Sequence, residues 1–450
     1  MKRKIYNQLL EWKAKDHNKV FLLIDGARRV GKSWIVEDFA KREYESHIIV
    51  DFNSANASVR EFFTEYLHDL DEFFMRLQAY YKTKLVPGHS LIVFDEVQMF
   101  PPARAALKYL IKDGRFDYIE TGSLISIRKN VQQIVIPSEE RHLKLHPMDF
   151  EEFLWATGNE PLADLIRKCF DSRKPMGQTL HRQAINLFRQ YMIVGGMPQA
   201  VEEFVRSRDL DEVEKIKRDI LELYKGDIEK HGGRSRTKIS RLFEEIPSQL
   251  NRHEKKFRFS QLGKSSRYRD YADSLFWLEQ AMIVNVCTNS TEPNIGLKMN
   301  EERSSLKCYM GDTGLLISHA FDENQLAAED IHRRLLFDKI EINEGMIVEN
   351  IVAQMLTATG RKLHFYSIND PHDAERRMEI DFLIANTVVG RRKNITPIEV
   401  KSGRAYTLKS LMKFRAKYEA YLSAPYVLHA KDLETKDGVT YLPLYMAPLL

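Results

Sequence analysis

Cysteine is scarce: Cys169, Cys287 and Cys308 are the only three in 450 residues, and no C-x-x-C pair exists. That argues against zinc ribbons and disulfide-framed scaffolds, and it fits a reducing cytoplasm. Long apolar runs are also missing. Nothing approaches the roughly 18 apolar residues of a membrane span. The charged start leads into Leu9, Leu10 and Trp12, broken by Glu11 and Lys13, which is unlike a signal peptide. Gly and Pro are modest at 21 and 15, and there are no repeats, heptads or low-complexity tracts, so fibrous and disordered classes are disfavoured. Charge of one sign is not in excess either: 68 Lys and Arg stand against 64 Asp and Glu. A strongly polybasic binder is excluded, but a local basic face is not. What is present is a globular composition, 43% hydrophobic and 29% charged. The length, over roughly 150 residues per domain, predicts about three domains.

Short apolar runs alternate with helical periodicity through the first third. Strands are predicted at Val20–Ile24, His47–Phe52, Ser90–Phe94, Asp117–Glu120 and His142–Leu145, and helices at Lys32 to about Arg42, 59–82 and Ala103–Lys112. Continuous apolar strands between helices predict a parallel sheet covered on both faces. Residues 150–223 read as mostly helical, with an interruption at Gly195-Gly196-Met197-Pro198 that reads as a helix breaker rather than a site. Residues 231–269 carry 11 Lys and Arg against 3 acids. Helical patterns at 238–250 and 268–280, then a strand-like 281–286, suggest a winged-helix arrangement. The last 110 residues return to mixed α/β, with helices near 343–358 and 405–420 and strands near 362–367, 378–385, 394–401 and 426–428.

Gly26-Ala27-Arg28-Arg29-Val30-Gly31-Lys32-Ser33 fits G-x-x-x-x-G-K-[ST] in full, between a predicted strand and a predicted helix. Each residue type has a physical reason. Gly26 and Gly31 permit tight turns, so successive amides point at phosphate oxygens. The helix beginning at Lys32 adds its positive end. Lys32 supplies charge to the β- and γ-phosphates, and the Ser33 hydroxyl can ligand Mg2+. The partner is the strand Leu91–Phe94 ending in Asp95-Glu96. Two acids at a sheet's carboxyl edge suit Asp95 to Mg2+ and Glu96 to orienting and deprotonating the attacking water. After the fourth strand, Ser123, with Thr121 second, offers a hydroxyl to the water or γ-phosphate; an N-cap for the following helix is the other reading. Arg141 is either an arginine finger for a neighbouring subunit or a surface arginine. No N-K-x-D guanine signature follows, and an Asp-Glu pair suits water as acceptor, so the expected reaction is ATP hydrolysis.

These motifs resemble those of bacterial and archaeal AAA-type ATP-binding proteins with a C-terminal domain of unknown function. The resemblance rests on Gly26–Ser33, Leu91–Gln98, Thr121–Ser123, Leu145–Phe153, Gly195–Pro198, Asp312–Leu315, Gly345 through Asn350, Glu379–Phe382 and Ile398–Ser402, in that order along nearly the whole chain. It implies an α/β P-loop NTPase with a five-stranded AAA core at 1–155. A helical lid at 156–228, a winged-helix-like basic domain at 229–325 and a nuclease-like domain at 326–450 would follow. Within that pattern Ser123 is a sensor and Arg141 a candidate finger. Glu140-Arg141 departs from the usual Gly-Arg.

Glu349, Asp381, Glu399 and Lys401 resemble the active site of PD-(D/E)xK nucleases. Glu399 and Lys401 are two apart on a strand and so share a face. Carboxylates of this kind bind hard cations such as Mg2+, which activates water for in-line displacement. A fold retained for binding, without cutting, is the other reading. In the basic stretch, Arg234, Arg236, Lys238, Arg252, Lys255, Lys256, Arg258, Lys264, Arg267 and Arg269 are candidates to track a phosphate backbone, with Tyr268 and Tyr271 stacking or packing among them. A solvated loop is the competing reading. The expected ligands are ATP and Mg2+. The expected partners are DNA or RNA, or a protein partner recruited by an ATP-driven switch, in a cytoplasmic chain able to form a homo-oligomer.

Overall fold

The computed structural model describes residues 1–122, 139–252, 254–294, 296–321, 344–369, 373, 377–386, 393–403 and 406–450. The chain divides into two compact units, Met1–His146 and Pro147–Leu450.

In the first unit, α1 (Ile5–Asp16) precedes β1 (Phe21–Gly26), α2 (Lys32–Glu43), β2 (Ser46–Asp51), α3 (Ala57–Glu65), α4 (Leu70–Tyr81), β3 (Ser90–Asp95), α5 (Pro101–Asp113), β4 (Asp117–Gly122) and β5 (Glu140–Leu145). Among the described residues these strands form one parallel sheet in the order β2-β3-β4-β1-β5. Every residue of β1 and β4 is buried, which is why both strands read as unbroken apolar runs apart from their acids. The predicted helix over 59–82 is two helices. The Asp69 side chain accepts from the amides of Asp71 and Glu72 and so starts α4 afresh. Phe52, Phe63, Phe73 and Phe94 meet edge-on in the core beneath the sheet.

The second unit opens with five helices, α6 (Phe150–Ala156), α7 (Glu160–Ser172), α8 (Gln178–Val194), α9 (Pro198–Ser207) and α10 (Leu210–His231), then α11 (Arg236–Leu250) and α12 (Tyr268–Gln280). The hairpin β6 (Val284–Ser290) and β7 (Glu301–Met310) follows, with α13 (Thr313–Ala320) and α14 (Glu344–Ala358). The chain ends with β8 (His364–Ile368), β9 (Met378–Ala385), β10 (Ile395–Val400), α15 (Lys409–Tyr418), β11 (Tyr426–His429), β12 (Glu434–Lys436) and β13 (Val439–Pro443). Among the described residues the second sheet is mixed and has eight strands, β12-β13-β11-β10-β9-β8-β6-β7. The β6–β7 hairpin of the middle segment therefore extends the C-terminal sheet, through the parallel pairing of β6 with β8. The strand expected at 281–286 begins at Val284, because Ala281 caps α12 and Met282 turns with φ 55°. Among the described residues no helix is long and apolar enough to cross a membrane.

Candidate functional site

Parallel strands bring Gly26, Asp95 and Thr121 to one edge of the first sheet, since β1, β3 and β4 all end there. The loop after β1 is shaped by its glycines. A Cβ on Gly26 would lie 2.4 Å from the Leu145 carbonyl oxygen, and Gly31 sits at φ 94° as the residue before α2. Arg29 also has positive φ, 67°, and the Val30 amide donates to the Ala27 carbonyl at 3.3 Å. Ala27 and Val30 are buried, whereas Arg28 and Arg29 are exposed. No side chain caps the N-terminus of α2, so its first amides face the loop uncapped by a side chain. Arg3 braces the loop from behind, donating to the Val30 carbonyl at 3.1 Å and to the His146 carbonyl at 2.6 Å.

Lys32 is buried, and its ammonium donates to the Gly26 and Ala27 carbonyls at 3.0 and 3.1 Å. Burial lowers its pKa, opposed by Glu96 and Asp95. The exposed Ser33 hydroxyl donates to Asp95 Oδ1 at 2.9 Å. The Thr121 hydroxyl donates to the same oxygen and accepts from the Glu96 amide at 3.2 Å. Glu96 has φ 52°, and its carboxylate accepts from the Gln98 amide group. A hydroxyl and a carboxylate in contact make an all-oxygen donor pair that fits Mg2+, and the glycine-shaped loop fits a polyphosphate. Asp25, one residue before the loop, is buried and held above the usual carboxylate range by that burial.

Of the softer candidates, Thr121 joins both acids, while Ser123 lies outside the described residues. Arg141 pairs with Asp16 of α1 and stands opposite Leu22, four residues before Gly26 on the neighbouring strand. It is therefore toward the other end of the sheet from its own loop.

The second unit gathers another polar cluster. A cavity of about 650 Å³ is lined by Lys255, Glu349, Glu379, Asp381, Glu399 and Lys401, among others. Glu379 and Asp381 share a face of β9. Glu399 is the penultimate residue of β10 with Lys401 just beyond its end, and the Lys401 ammonium donates to Glu399. Asp381 Oδ2 accepts from the Val400 amide at 2.8 Å. Glu349 on α14 accepts from Lys255 and, at 3.0 Å, from the Tyr309 hydroxyl. Lys307 of β7 stands among them, 2.8 Å from Glu379, 3.6 Å from Glu349 and 3.7 Å from Asp381. Burial raises Glu399 to about 8, helped by Asp381, and burial and Glu349 raise Asp381. Burial also works against ionised Glu349, but Lys307 and Lys255 outweigh it and hold Glu349 low.

Residues 18–154 match the family model of the AAA domain. The first unit is a P-loop ATPase fold of the AAA type. Residues 185–325 and 344–446 match two further models, Domain of unknown function (DUF8612) and Domain of unknown function (DUF4143). A search of curated proteins found no match. Among solved structures, the chain is similar to the Walker-type ATPase PABY2304 of Pyrococcus abyssi, at 16% identity over 71% of this chain and 95% of that one, TM-score 0.41. It is also similar to the Aeropyrum pernix ORC1 protein in complex with DNA, at 14% identity, 72% and 92% coverage and TM-score 0.25. A third is C. elegans PCH-2, at 12% identity, 46% and 60% coverage and TM-score 0.26.

Outside the ATPase fold, the basic stretch divides between exposed and inward-facing cations. Arg234, Arg236, Lys238, Arg258, Lys264, Arg267 and Arg269 are exposed, but Lys255 turns inward to Glu349 and the Gly345 carbonyl. Tyr271 is buried and Tyr268 packs edge-on against Phe259, so these rings serve the core around α12. Sequence reasoning missed Lys307, Tyr309 and Glu379 as members of the C-terminal cluster. The available signal was Lys307 itself: a lysine inside the apolar run 306–310 needs a buried anionic partner.

Proposed function

We propose that this protein binds and hydrolyses ATP with Mg2+ in its AAA-type unit. The contact of Ser33 with Asp95, beside a glycine-shaped loop, carries the reading. Ser33 and Asp95 would hold the Mg2+, directly or through water, and the ion would neutralise charge on the phosphates. The loop amides and the start of α2 would grip the polyphosphate. Lys32 would leave the Gly26 and Ala27 carbonyls for the β- and γ-phosphate oxygens. Glu96, within reach of the same edge, would accept the proton of the attacking water. Arg141 would act on a neighbouring subunit's nucleotide only once released from Asp16.

Coupling of turnover to nucleic acid is the finer part of the proposal. It is supported by the exposed Arg234, Arg236, Lys264, Arg267 and Arg269 within one short stretch of the second unit. The test is ATP turnover with and without single- and double-stranded DNA and RNA, with Glu96→Gln as the control. Stimulation that weakens steeply with salt supports the coupling. Turnover indifferent to every nucleic acid leaves an ATP-driven switch acting on a protein partner.

A further inference from the structure

We infer that the carboxylate cluster beside the cavity of the second unit is a metal-free site whose resident cation is the buried Lys307 ammonium. The inference does not rest on the ATPase reading. A nuclease-like arrangement of Glu349, Asp381 and Glu399 implies a divalent ion, but the side chains present do not fit one. Lys307 is 1% exposed, and its nitrogen lies among Glu379, Glu349 and Asp381 at 2.8, 3.6 and 3.7 Å. The ammonium thus occupies the space between these carboxylates, where a Mg2+ ion drawing oxygens to about 2.0–2.1 Å would have to sit. Among the described residues no three His, Cys, Asp or Glu side chains come together in a way that could hold a metal ion.

Charge points the same way. Four carboxylates, Glu349, Glu379, Asp381 and Glu399, face three ammonium groups, Lys255, Lys307 and Lys401. Three ammonium groups already offset most of that negative charge without any added ion, so a divalent cation gains little by entering. The tether fixes the cation as well: Lys307 comes from the middle of a strand and lies over the Phe365 ring at 5.2 Å.

The experiment counts Mn2+ bound per full-length chain by electron paramagnetic resonance, without nucleotide. All proteins carry Asp95→Asn to remove the P-loop position. The expected result is the same Mn2+ stoichiometry with and without Asp381→Asn, and one additional ion in Lys307→Met that Asp381→Asn abolishes. An Mn2+ ion held by the Lys307-containing protein and lost with Asp381→Asn overturns the inference. So does a Lys307→Met protein that is folded by circular dichroism yet gains no ion. If Lys307→Met does not fold, the comparison with Asp381→Asn still decides whether the native cavity takes a metal.

Discussion

The Ser33 hydroxyl and Asp95 Oδ1 are 2.9 Å apart although 62 residues separate them in the chain. The strand order explains the meeting: β4 alone lies between β1, which leads to Ser33, and β3, which ends in Asp95. If this pair is where Mg2+ is held, Ser33→Ala will weaken binding of Mg-ATP by about tenfold, the loss of one oxygen ligand. Binding of ATP in excess chelator will change by no more than about twofold. Titration of a fluorescent ATP analogue with and without EDTA checks both. Equal losses in the two conditions would mean that Ser33 acts on the loop, not on the ion.

Lys32→Ala will lose most nucleotide affinity, on the order of a hundredfold, since a buried cation is removed from the phosphate position. The same change frees the Gly26 and Ala27 carbonyls of their donor, at a cost of about 1–3 kcal/mol if neither finds water. Lys32→Met separates the effects poorly, because it also lacks the donor. The useful comparison is Lys32→Arg, which keeps a donor but not its geometry. A Lys32→Ala protein that binds the analogue like the parent would remove the P-loop assignment.

Glu96→Gln will bind ATP within a few-fold of the parent and turn over on the order of a hundredfold more slowly or worse, because an amide cannot take the water's proton. Thr121→Val tests the wiring. It removes the hydroxyl that donates to Asp95 and accepts from the Glu96 amide. The expected loss of turnover is about tenfold with little change in affinity, since the acids lose their common anchor. Steady-state phosphate release, with affinity measured separately, distinguishes a slower reaction from weaker binding.

The phosphate loop was legible because all its determinants lie within eight consecutive residues and two flanking elements. The pairing of Glu399 with Lys401 was legible from their two-residue spacing, although β10 ends at Val400 between them. Lys307 was not, because only the sheet order, β10-β9-β8-β6-β7, carries it toward Glu379 and Asp381. The break between α3 and α4 was hidden for a different reason. Apolar positions continue in register across it, and the Asp69 cap is one acid among many in a charged stretch. Lys255 read as one of a row of surface cations because composition does not say which member of a row turns inward.

Stability of the first unit should fall as pH rises, through Glu120. This residue is fully buried in β4, and burial raises it to about 8 against an ordinary 4.5. Arg104 lies 3.7 Å away but is closer to Glu140, which His142 also contacts at 2.5 Å. The folded state therefore holds a proton that the unfolded chain releases between about pH 4.5 and pH 8. Glu120's contribution is fully present below the lower value and is lost as pH rises through the upper one. Urea unfolding at a series of pH values should show this decline. Glu120→Gln should flatten it and be more stable than the parent near pH 9 by about 1–3 kcal/mol. Parallel pH profiles for the two proteins would mean that Arg104 keeps Glu120 ionised.

Gly195-Gly196 and Asp312-Thr313-Gly314 form a structural clasp in the second unit. The Gly196 amide donates to Asp312 Oδ2 at 2.6 Å, and Gln354 Nε2 reaches the same oxygen at 3.3 Å. Asp312 Oδ1 meanwhile caps α13 through the Leu315 amide at 3.0 Å. Gly195 has φ 79°, and a Cβ there would lie 2.3 Å from Asp312 Oδ1; one on Gly314 would lie 2.6 Å from the Val194 carbonyl. The turn breaks a helix, as expected, but its glycines also let a buried carboxylate reach three donors, one each in the turn, α13 and α14. Gly195→Ala should cost more than about 2 kcal/mol, combining backbone strain with a steric clash. Asp312→Asn must turn an amide N–H toward one of these donors, and should cost about 1–3 kcal/mol. Chemical denaturation of the full chain, followed by a probe in the second unit, measures both. An Asp312→Asn protein that unfolds at the parent's midpoint would show that the clasp contributes nothing to stability. The two glycine motifs would then need a role in binding or motion instead.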